Sequence, residues 1–572
     1  MSWLFGISWK PSRTVPEFDL HFLPEAHHKH TTPNLLIRAG GMRETCLFDN
    51  HSNGWCVCGT GIRSDRYPYS FLTGNEWTKV IESNSFTDNP PDGHFAIFRW
   101  SDRSVEGFTD RLGIREIYIA EKNDAIVFST CLEWVVRFNG EYTIDPAVFG
   151  SRWLLINQIS TGSFIPDITR LSRGESFNIT DHSLRVHNAM TFALHKDPVS
   201  TEEIKQSLQA MTVFPLEGNG KLSLSLSGGF DSRVLFSILL KHTGNDWDAH
   251  TFGDAQHPDA AIARKMCKDF RIPHTVHTSA QSSIDDIIHA GKEIAAKTAA
   301  IFPASSVLQL HHYHELAPAK RTVIDGGFGE IWRRGFMNKV FYKGARSLRN
   351  GDYKSIAMLL RSPRSDIFNG EFNNAMDRGC IDQLDTLFTH LYRQTTSLDL
   401  LLDLFMIHTR IPNIYGPEQS RVDGFVRNYM PFIQPGSVSR IMRMPMTKRK
   451  NGIVMREIIN ASEPSVKAYP LVKGTTTYPY WQPTLISRAW TKLKEKAGYT
   501  YREKQQYGFL DYMKPYILDT IGSERVRNSP VYAPAKIASY AERYYKGEKQ
   551  FAHSLDWWLA FEWMMQRFDG VE

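Results

Sequence analysis

A short run of serines, glycines and one aspartate, Ser227-Gly228-Gly229-Phe230-Asp231-Ser232, has the residue types of a phosphate-binding turn. Two adjacent glycines let the backbone come close to a ligand, and serine hydroxyls and free N–H groups can donate hydrogen bonds to phosphate oxygens. An aspartate inside an anion site is explained if a divalent cation accompanies the phosphates. The run therefore predicts a site for a magnesium-bound nucleotide.

The flanking residues predict the elements that hold this turn. Leu222, Leu224 and Leu226 alternate with serines, which is typical of a strand, whereas residues 233–240 are apolar enough for a packed helix. The turn is therefore expected between the carboxyl end of a strand and the N-terminus of a helix. The sequence contains no Gly-x-x-x-x-Gly-Lys-Ser/Thr motif, so this is not the loop that serves γ-phosphate transfer.

A second glycine-rich turn carries two more carboxylates. Residues 322–325 predict a short strand that ends at Asp325, and Glu330 follows after several glycines. Between the two turns, short strands alternate with an amphipathic helix, and such alternation predicts a parallel sheet with ligands at the carboxyl ends of its strands. Asp325 and Glu330 are therefore expected at the same edge of the sheet as Asp231.

Length and composition limit the class of protein. A chain of 572 residues exceeds what one hydrophobic core usually supports, so two or more domains are expected. The net charge of +6, from 67 basic and 61 acidic residues, is mild and does not indicate a nucleic-acid-binding surface. The cysteines are few and scattered, and no signal peptide or membrane span is visible, which favours a cytoplasmic protein.

The pattern of secondary structure changes near residue 200. Residues 1–200 contain short strands separated by turn signals, which predicts mainly β-structure. Residues 201–572 alternate helices with buried strands at first and are largely helical later. We therefore predict two domains, 1–200 and 201–572.

Both parts of the chain resemble the asparagine synthetase family. The Ser227–Ser232 turn is similar to the PP-loop of the ATP pyrophosphatases, which include asparagine synthetase, β-lactam synthetase and the lasso-peptide cyclases. Residues 93–180 resemble the glutaminase domain of asparagine synthetases, with Gly93-His-Phe-Ala and Asp110-Arg-Leu-Gly-Ile in the family's order. The resemblance implies an α/β protein: an N-terminal-nucleophile (Ntn-type) α/β-β-α sandwich, then a PP-loop ATPase domain with a parallel sheet flanked by helices.

The family's reaction implies roles for individual residues. In that reaction a carboxylate attacks the α-phosphate of ATP, pyrophosphate leaves, and an amine or ammonia captures the acyl-adenylate. By resemblance Asp231 and Glu330 bind Mg²⁺, and Lys473 in the stretch Ala468-Tyr-Pro-Leu-Val-Lys473-Gly474 stabilises charge on the departing pyrophosphate, so these three are the predicted catalytic residues. The predicted nucleotide contacts are Leu226, Ser227, Gly228, Gly229, Asp231, Ser232, Phe252, Asp325 and Gly326.

Several positions depart from the family's motifs. Phe5 stands where the family has its nucleophilic cysteine, and the glutamine-binding stretch is missing, which implies a domain without glutaminase activity. An alternative is that Met1 is removed and Ser2 becomes an N-terminal nucleophile. Next to Glu330, Ile331 replaces a glutamate and Arg333-Arg334 replace Phe-Gly, which leaves open whether catalysis is weakened or redirected.

The predicted function is an ATP-dependent amide-forming ligase acting on a small-molecule, sugar or peptide carboxylate. Gln434 replaces an aspartate on the acceptor side of the family's site, so an amine on the substrate or on a partner is favoured over free ammonia. Two alternatives stay open: a lasso-peptide macrocyclase, which needs a partner protein that delivers the peptide, and a catalytically dead binding or regulatory module that keeps the fold. We expect no nucleic-acid or membrane partner, and a homodimer stays open.

Overall fold

In the computed structural model, two antiparallel sheets form the N-terminal part of the chain. The structure describes residues 2–10, 17–83, 86–155, 158–190, 192, 197–217, 220–242, 244, 246–278, 283–362, 364–497 and 505–571. The strands of this part are β1 (Trp3–Trp9), β2 (His28–Thr32), β3 (Leu35–Gly40), β4 (Cys46–Asp49), β5 (Gly54–Arg63), β6 (Ser70–Phe71), β7 (Asp92–Trp100), β8 (Ser104–Thr109), β9 (Tyr118–Lys122), β10 (Ala125–Ser129), β11 (Ile168–Arg170), β12 (Glu175–Thr180) and β13 (Ser183–Asn188). Its helices are α1 (Gly74–Glu82), α2 (Leu132–Asn139) and α3 (Pro146–Leu154).

These sheets and helices stack as four layers. One sheet has the order β11-β9-β10-β1-β3-β2 and the other β13-β12-β8-β7-β5-β4, with β6 paired to β5. Side chains alternate across β1, so that Leu4 packs between the sheets while Trp3 packs on Trp134 of α2, with 5.0 Å between ring centroids. On the other sheet, Trp77 of α1 packs on Phe95 at 5.1 Å. The order helix, sheet, sheet, helix confirms the predicted sandwich.

A parallel sheet organises the C-terminal part. Its strands are β14 (Leu222–Ser225), β15 (Trp247–Phe252), β16 (His274–His277), β17 (Thr322–Ile324) and β18 (Asn428–Tyr429), and a separate hairpin is formed by β19 (Leu471–Lys473) and β20 (Thr476–Tyr478). The sheet order is β16-β15-β14-β17-β18, with every neighbouring pair parallel. This arrangement confirms the predicted parallel sheet and brings the carboxyl ends of β14 and β17 side by side.

Helices make up most of the remaining C-terminal part. They are α4 (Thr201–Glu217), α5 (Asp231–Leu239), α6 (Pro258–Phe270), α7 (Ile284–Lys297), α8 (Leu310–Leu316), α9 (Gly329–Trp332), α10 (Ala345–Arg349), α11 (Tyr353–Leu360), α12 (Gly370–Tyr392), α13 (Leu398–Arg410), α14 (Gly416–Val422), α15 (Pro435–Arg443), α16 (Met446–Arg449), α17 (Ile453–Ser462), α18 (Thr484–Lys496), α19 (Gln505–Tyr512), α20 (Lys514–Gly522), α21 (Glu524–Arg527), α22 (Pro534–Tyr545) and α23 (Ala552–Phe568). Within the described ranges, no helix is both long enough and apolar enough to cross a membrane.

The N-terminal and C-terminal parts share one hydrophobic core. Helix α3 packs so closely on α12 that a Cβ added to Gly379 would lie 2.1 Å from the carbonyl oxygen of Ala147. The same core includes residues of β1 and the tryptophans of α23. Because the core is continuous, the division into domains 1–200 and 201–572 stays a prediction based on the change of pattern.

Candidate functional site

The carboxyl ends of β14 and β17 open into a cavity of about 520 Å³. Eight of the predicted site residues line it: Ser227, Gly229, Asp231, Ser232, Phe252, Asp325, Gly326 and Lys473. Leu226, Gly228 and Glu330 are not among its lining residues. A larger cavity of about 1050 Å³, bordered by residues 140–144 and 528–532, contains none of the predicted site residues. The fold therefore brings most of the predicted nucleotide contacts together in this one cavity.

Hydrogen bonds within the Ser227–Ser232 turn shape it as a cradle. The hydroxyl of Ser232 accepts a bond from the backbone N–H of Ser227 (3.2 Å) and lies 3.1 Å from the Ser227 hydroxyl, which in turn accepts from the N–H of Gly229 (3.1 Å). Helix α5 begins at Asp231, so its first N–H groups are directed toward the cavity end of the helix. The N–H groups of Ser227 and Gly229 are used within the turn, and that of Gly228 donates to Oδ1 of Asp259 (2.8 Å). The donors left for phosphate oxygens are the serine hydroxyls and the first N–H groups of α5.

The hairpin β19–β20 is attached directly to this turn. The backbone N–H of Val472 donates to the carbonyl of Gly228 (3.0 Å), and a Cβ on Gly228 would lie 2.3 Å from a methyl group of Val472. Lys473 is the last residue of β19 and lines the cavity. The contact with Gly228 therefore sets the position of Lys473 relative to the turn.

Arg233 reinforces this attachment, and sequence reasoning missed it. The guanidinium is fully buried and donates to the carbonyls of Gly228 (3.1 Å), Tyr469 (2.6 Å) and Pro470 (2.8 Å). Burial lowers the pKa of Arg233 to about 10, so the side chain stays charged at neutral pH. The available signal was an arginine in the first turn of an otherwise apolar helix, which had to have buried partners.

The second turn packs against the first. A Cβ on Gly326 would lie 2.7 Å from the backbone nitrogen of Ser232, which shows how closely the two turns approach. Asp325 accepts a hydrogen bond from the N–H of Gly327 (2.6 Å). Burial raises the pKa of Asp325 to about 7, and the nearby Glu418 carboxylate adds to the shift. Asp325 is thus a carboxyl group that changes charge near neutral pH inside the cavity.

The two predicted magnesium ligands are both paired with arginines. Arg333 donates from Nε to Oδ1 of Asp231 (2.7 Å) and from Nη2 to Oδ2 (3.0 Å). Glu330 forms an ion pair with Arg410, with 3.0 Å between Oε1 and Nε. A Mg²⁺ shared by Asp231 and Glu330 fits this arrangement poorly, because each carboxylate is already paired with a guanidinium that the dication would have to lie beside. Across the described residues, no group of three or more His, Cys, Asp and Glu side chains is placed to hold a metal.

An aromatic wall closes another side of the cavity. Phe252 lies parallel to the ring of His312, with centroids 5.0 Å apart and planes at 11°, and meets the ring of Tyr313 edge-on at 5.0 Å. Phe252 and Tyr313 both line the cavity, so they offer a surface on which a flat base can pack. Tyr313 was not predicted, because it comes from a helix whose sequence gave no indication of its distance from the loop.

The N-terminal residues proposed for the glutaminase position are enclosed. Phe5 lies in the middle of β1 and packs against Phe22 in the core. Ser2 has no exposed surface; its hydroxyl is hydrogen-bonded to that of Thr45 and lies 3.4 Å from the carbonyl oxygen of Asp423. Neither side chain faces a cavity described above.

Comparison with family models matches one segment of the chain. A family model described as asparagine synthase matches residues 203–324, which include the Ser227–Ser232 turn and strands β14 to β17. The match ends before Asp325, Glu330 and Lys473. A comparison with curated proteins returned no match.

Similarity to solved structures is weak. Glutamine phosphoribosylpyrophosphate amidotransferase from B. subtilis, complexed with ADP and GMP, is 10% identical, with a TM-score of 0.22 over 50% of this chain and 69% of that chain. A structure described as the allosteric regulatory enzyme of purine biosynthesis is 9% identical, with a TM-score of 0.21 over 48% of this chain and 74% of that chain. Scores this low carry no argument about this chain. The match of residues 203–324 to the asparagine synthase family model does bear on the chain, and it confirms the resemblance of this segment to the asparagine synthetase family.

Proposed function

We propose that this protein is an ATP-dependent amide-forming ligase that activates a carboxylate as an acyl-adenylate, with release of pyrophosphate and capture of the acyl group by an amine or ammonia. The observation that carries the proposal is the attachment of the hairpin bearing Lys473 to the Ser227–Ser232 turn. A phosphate-binding turn and a cation held beside it are what the departure of pyrophosphate requires. The asparagine synthase domain supports the same class of reaction.

In the proposed reaction, the chain's own residues bind and orient the reactants. The serine hydroxyls of the turn and the first N–H groups of α5 bind the outer phosphates, and Phe252 packs on the base. The substrate carboxylate oxygen forms a bond to the α-phosphorus while the bond to the pyrophosphate oxygen breaks. Lys473 and Arg456, which line the same cavity, neutralise the charge on the leaving group. The amine then displaces AMP from the acyl carbon and loses a proton.

We also propose that the N-terminal part has no glutaminase activity. Ser2, the alternative nucleophile, is enclosed by Thr45 and by the backbone of Asp423 from the C-terminal part. A glycine at position 41 lies directly against it, since a Cβ there would be 2.4 Å from the Cα of Ser2. Glutamine cannot reach a side chain packed in this way. The nitrogen donor is therefore ammonia or an amine of the substrate.

A peptide substrate, and with it the macrocyclase alternative, is favoured by one further observation. Trp481 (74% exposed) precedes α18, and Ile486, Trp490 and Leu493 recur along one face of that helix with 40–64% of their surface exposed. The stripe begins next to the cavity in the chain, because Trp481 is followed directly by Gln482, which lines the cavity. Exposed Lys492 and Lys496 lie on the same helix, so the segment that fits here is apolar and acidic. A peptide-delivering partner, a homodimer and a cytoplasmic location stay predictions.

The proposal is tested by measuring pyrophosphate released from ATP with a panel of carboxylates: aspartate, uronic acids, and acidic and neutral peptides. We expect release with at least one member of the panel, and at least a tenfold slower release by Lys473→Met, the effect of losing one charge contact to the leaving group. Lys354→Met, which also removes one lysine but an exposed one on α11, outside the cavity and away from α18, is the control and retains activity. ATP binding without release for the whole panel would support the dead binding module.

A further inference from the structure

The ion pair between Asp231 and Arg333 is bidentate and partly buried. Arg333 contacts Asp231 through two of its nitrogens, which is the bidentate geometry of the strongest arginine–carboxylate pairs. The side chain of Asp231 is 18% exposed and that of Arg333 is 28% exposed, so water competes only partly with the pair. The pair lies at the edge of the cavity, and both residues line it.

Two glycines leave the space that this pair occupies. A Cβ on Gly329 would lie 2.4 Å from the carboxyl carbon of Asp231, and a Cβ on Gly335 would lie 2.4 Å from Nη1 of Arg333. Any larger residue at either position would displace the carboxylate or the guanidinium. The backbone of the second turn is therefore shaped around the ion pair.

A divalent cation at Asp231 would either lie beside the guanidinium of Arg333, which is a like-charge cost, or displace it and break two charge-assisted hydrogen bonds. Glu330 does not offset this cost, because its negative charge is already paired with Arg410 and also interacts with Arg333. The same pairing that disfavours a shared metal leaves Nη1 of Arg333 without a hydrogen-bond acceptor among the described residues.

We propose that Arg333, oriented by Asp231, takes the place predicted for a magnesium ion and binds the nucleotide phosphates directly, so that nucleotide binding does not depend on a divalent cation. The inference rests on the proposed function, since it concerns the same nucleotide. Arg333 joins Arg456 and Lys473, which line the same cavity, and together they place three positive charges around the phosphates. Guanidinium groups suit phosphate oxygens because their planar fork matches two oxygens at once.

The test is the binding of the non-hydrolysable α,β-methylene analogue of ATP to the full-length protein, measured by calorimetry with excess Mg²⁺ and with EDTA. We expect dissociation constants for the wild type that agree within about threefold. Arg333→Ala should lose about tenfold or more in affinity in EDTA and recover part of it with Mg²⁺, because the oxygens of Asp231 become available. Arg333→Lys, which keeps the charge without the fork, should lie between them.

Arg321→Ala is the matched control, because Arg321 pairs with Asp246 and Asp248 just before β17, at the opposite end of the sheet. It should bind the analogue as the wild type does. Wild-type binding that needs Mg²⁺ would overturn the role of Arg333 and leave the proposed ligase intact. No binding in either buffer would overturn the proposed function itself. If Arg333→Ala does not fold, the comparison of the two buffers for the wild type still decides.

Discussion

Val472 donates its backbone N–H to the carbonyl of Gly228, and this bond helps to join the hairpin that carries Lys473 to the Ser227–Ser232 turn. The two residues are far apart in sequence, and their contact sets the position of Lys473 relative to the turn. Glycine is required at 228 because a side chain there would occupy the space of the Val472 methyl group.

Gly228→Ala should therefore separate the hairpin from the turn. The added methyl group would lie 2.3 Å from Val472, and relief of such overpacking typically costs about 1–3 kcal/mol. We expect slower pyrophosphate release and weaker binding of the ATP analogue. Gly508→Ala adds the same methyl group where no atom lies within 4 Å and should leave both unchanged. Equal behaviour of the two variants would contradict the importance of the contact.

Arg233→Met should disconnect the same two elements from the other side. The substitution keeps the length of the side chain but leaves the carbonyls of Tyr469 and Pro470 without their donor, at a cost of about 1–3 kcal/mol for each buried group left unpaired, whereas Gly228 keeps the bond from Val472. We expect a lower melting temperature and, at temperatures where the variant is folded, a lower rate of pyrophosphate release. Arg264→Met removes a guanidinium that donates to the single exposed carbonyl of Ala255 and should change neither. Full activity of Arg233→Met would show that it has no part in positioning Lys473.

The raised pKa of Asp325 predicts a pH dependence of stability. Burial raises the pKa of Asp325 from 3.8 to about 7, so the folded protein keeps this proton at pH values where the unfolded chain has already released it. This group therefore lowers stability as the pH rises from about 4 to about 7, and has no further effect above about 7. Melting curves of the wild type and Asp325→Asn should diverge over that interval, with the variant gaining relative stability. Parallel curves would show that Asp325 titrates normally.

The enclosure of Ser2 predicts that no glutamate forms from glutamine. Ser2→Ala should leave that null result unchanged and cost stability only through the lost bonds to Thr45 and Asp423, about 1 kcal/mol for a buried hydroxyl. Glutamate production is measured with and without ATP. A glutaminase activity that disappears in Ser2→Ala would refute the proposal of a silent domain.

The sequence predicts those parts of the site whose structure depends on residues that are neighbours in the chain. Alternating leucines predicted β14, and the glycines and serines that follow predicted the turn and the start of α5, because strand period and helix N-termini depend on neighbouring residues. The segment 284–314 is rich in residues that favour helix, yet its helix is interrupted: α7 ends at Lys297, Ala299 and Ala300 have positive φ, and a 3₁₀ turn follows Pro303. The helix propensity of the residues favours a helix there, but Pro303 disfavours the helical conformation of the residue before it.

Contacts between distant segments were beyond such rules. The pairing of Arg333 with Asp231 depends on the packing of two turns, and nothing in either turn's own sequence indicates which cation will be near the aspartate. The same holds for Arg233, because its acceptors, the carbonyls of Tyr469 and Pro470, lie 236 and 237 residues further along the chain. The motifs therefore predict which residues line the site, whereas the pairing of its charged side chains depends on tertiary packing and is not visible in the sequence.

In the proposed reaction, a carboxylate attacks the α-phosphate of ATP bound at the Ser227–Ser232 turn. The most direct test supplies a carboxylate substrate labelled with heavy oxygen and analyses the nucleotide product by mass spectrometry. Attack at the α-phosphate transfers one labelled oxygen to AMP, with pyrophosphate as the other product. The proposed reaction predicts labelled AMP. ADP together with labelled inorganic phosphate would contradict it, because these products would show that the carboxylate attacks the γ-phosphate.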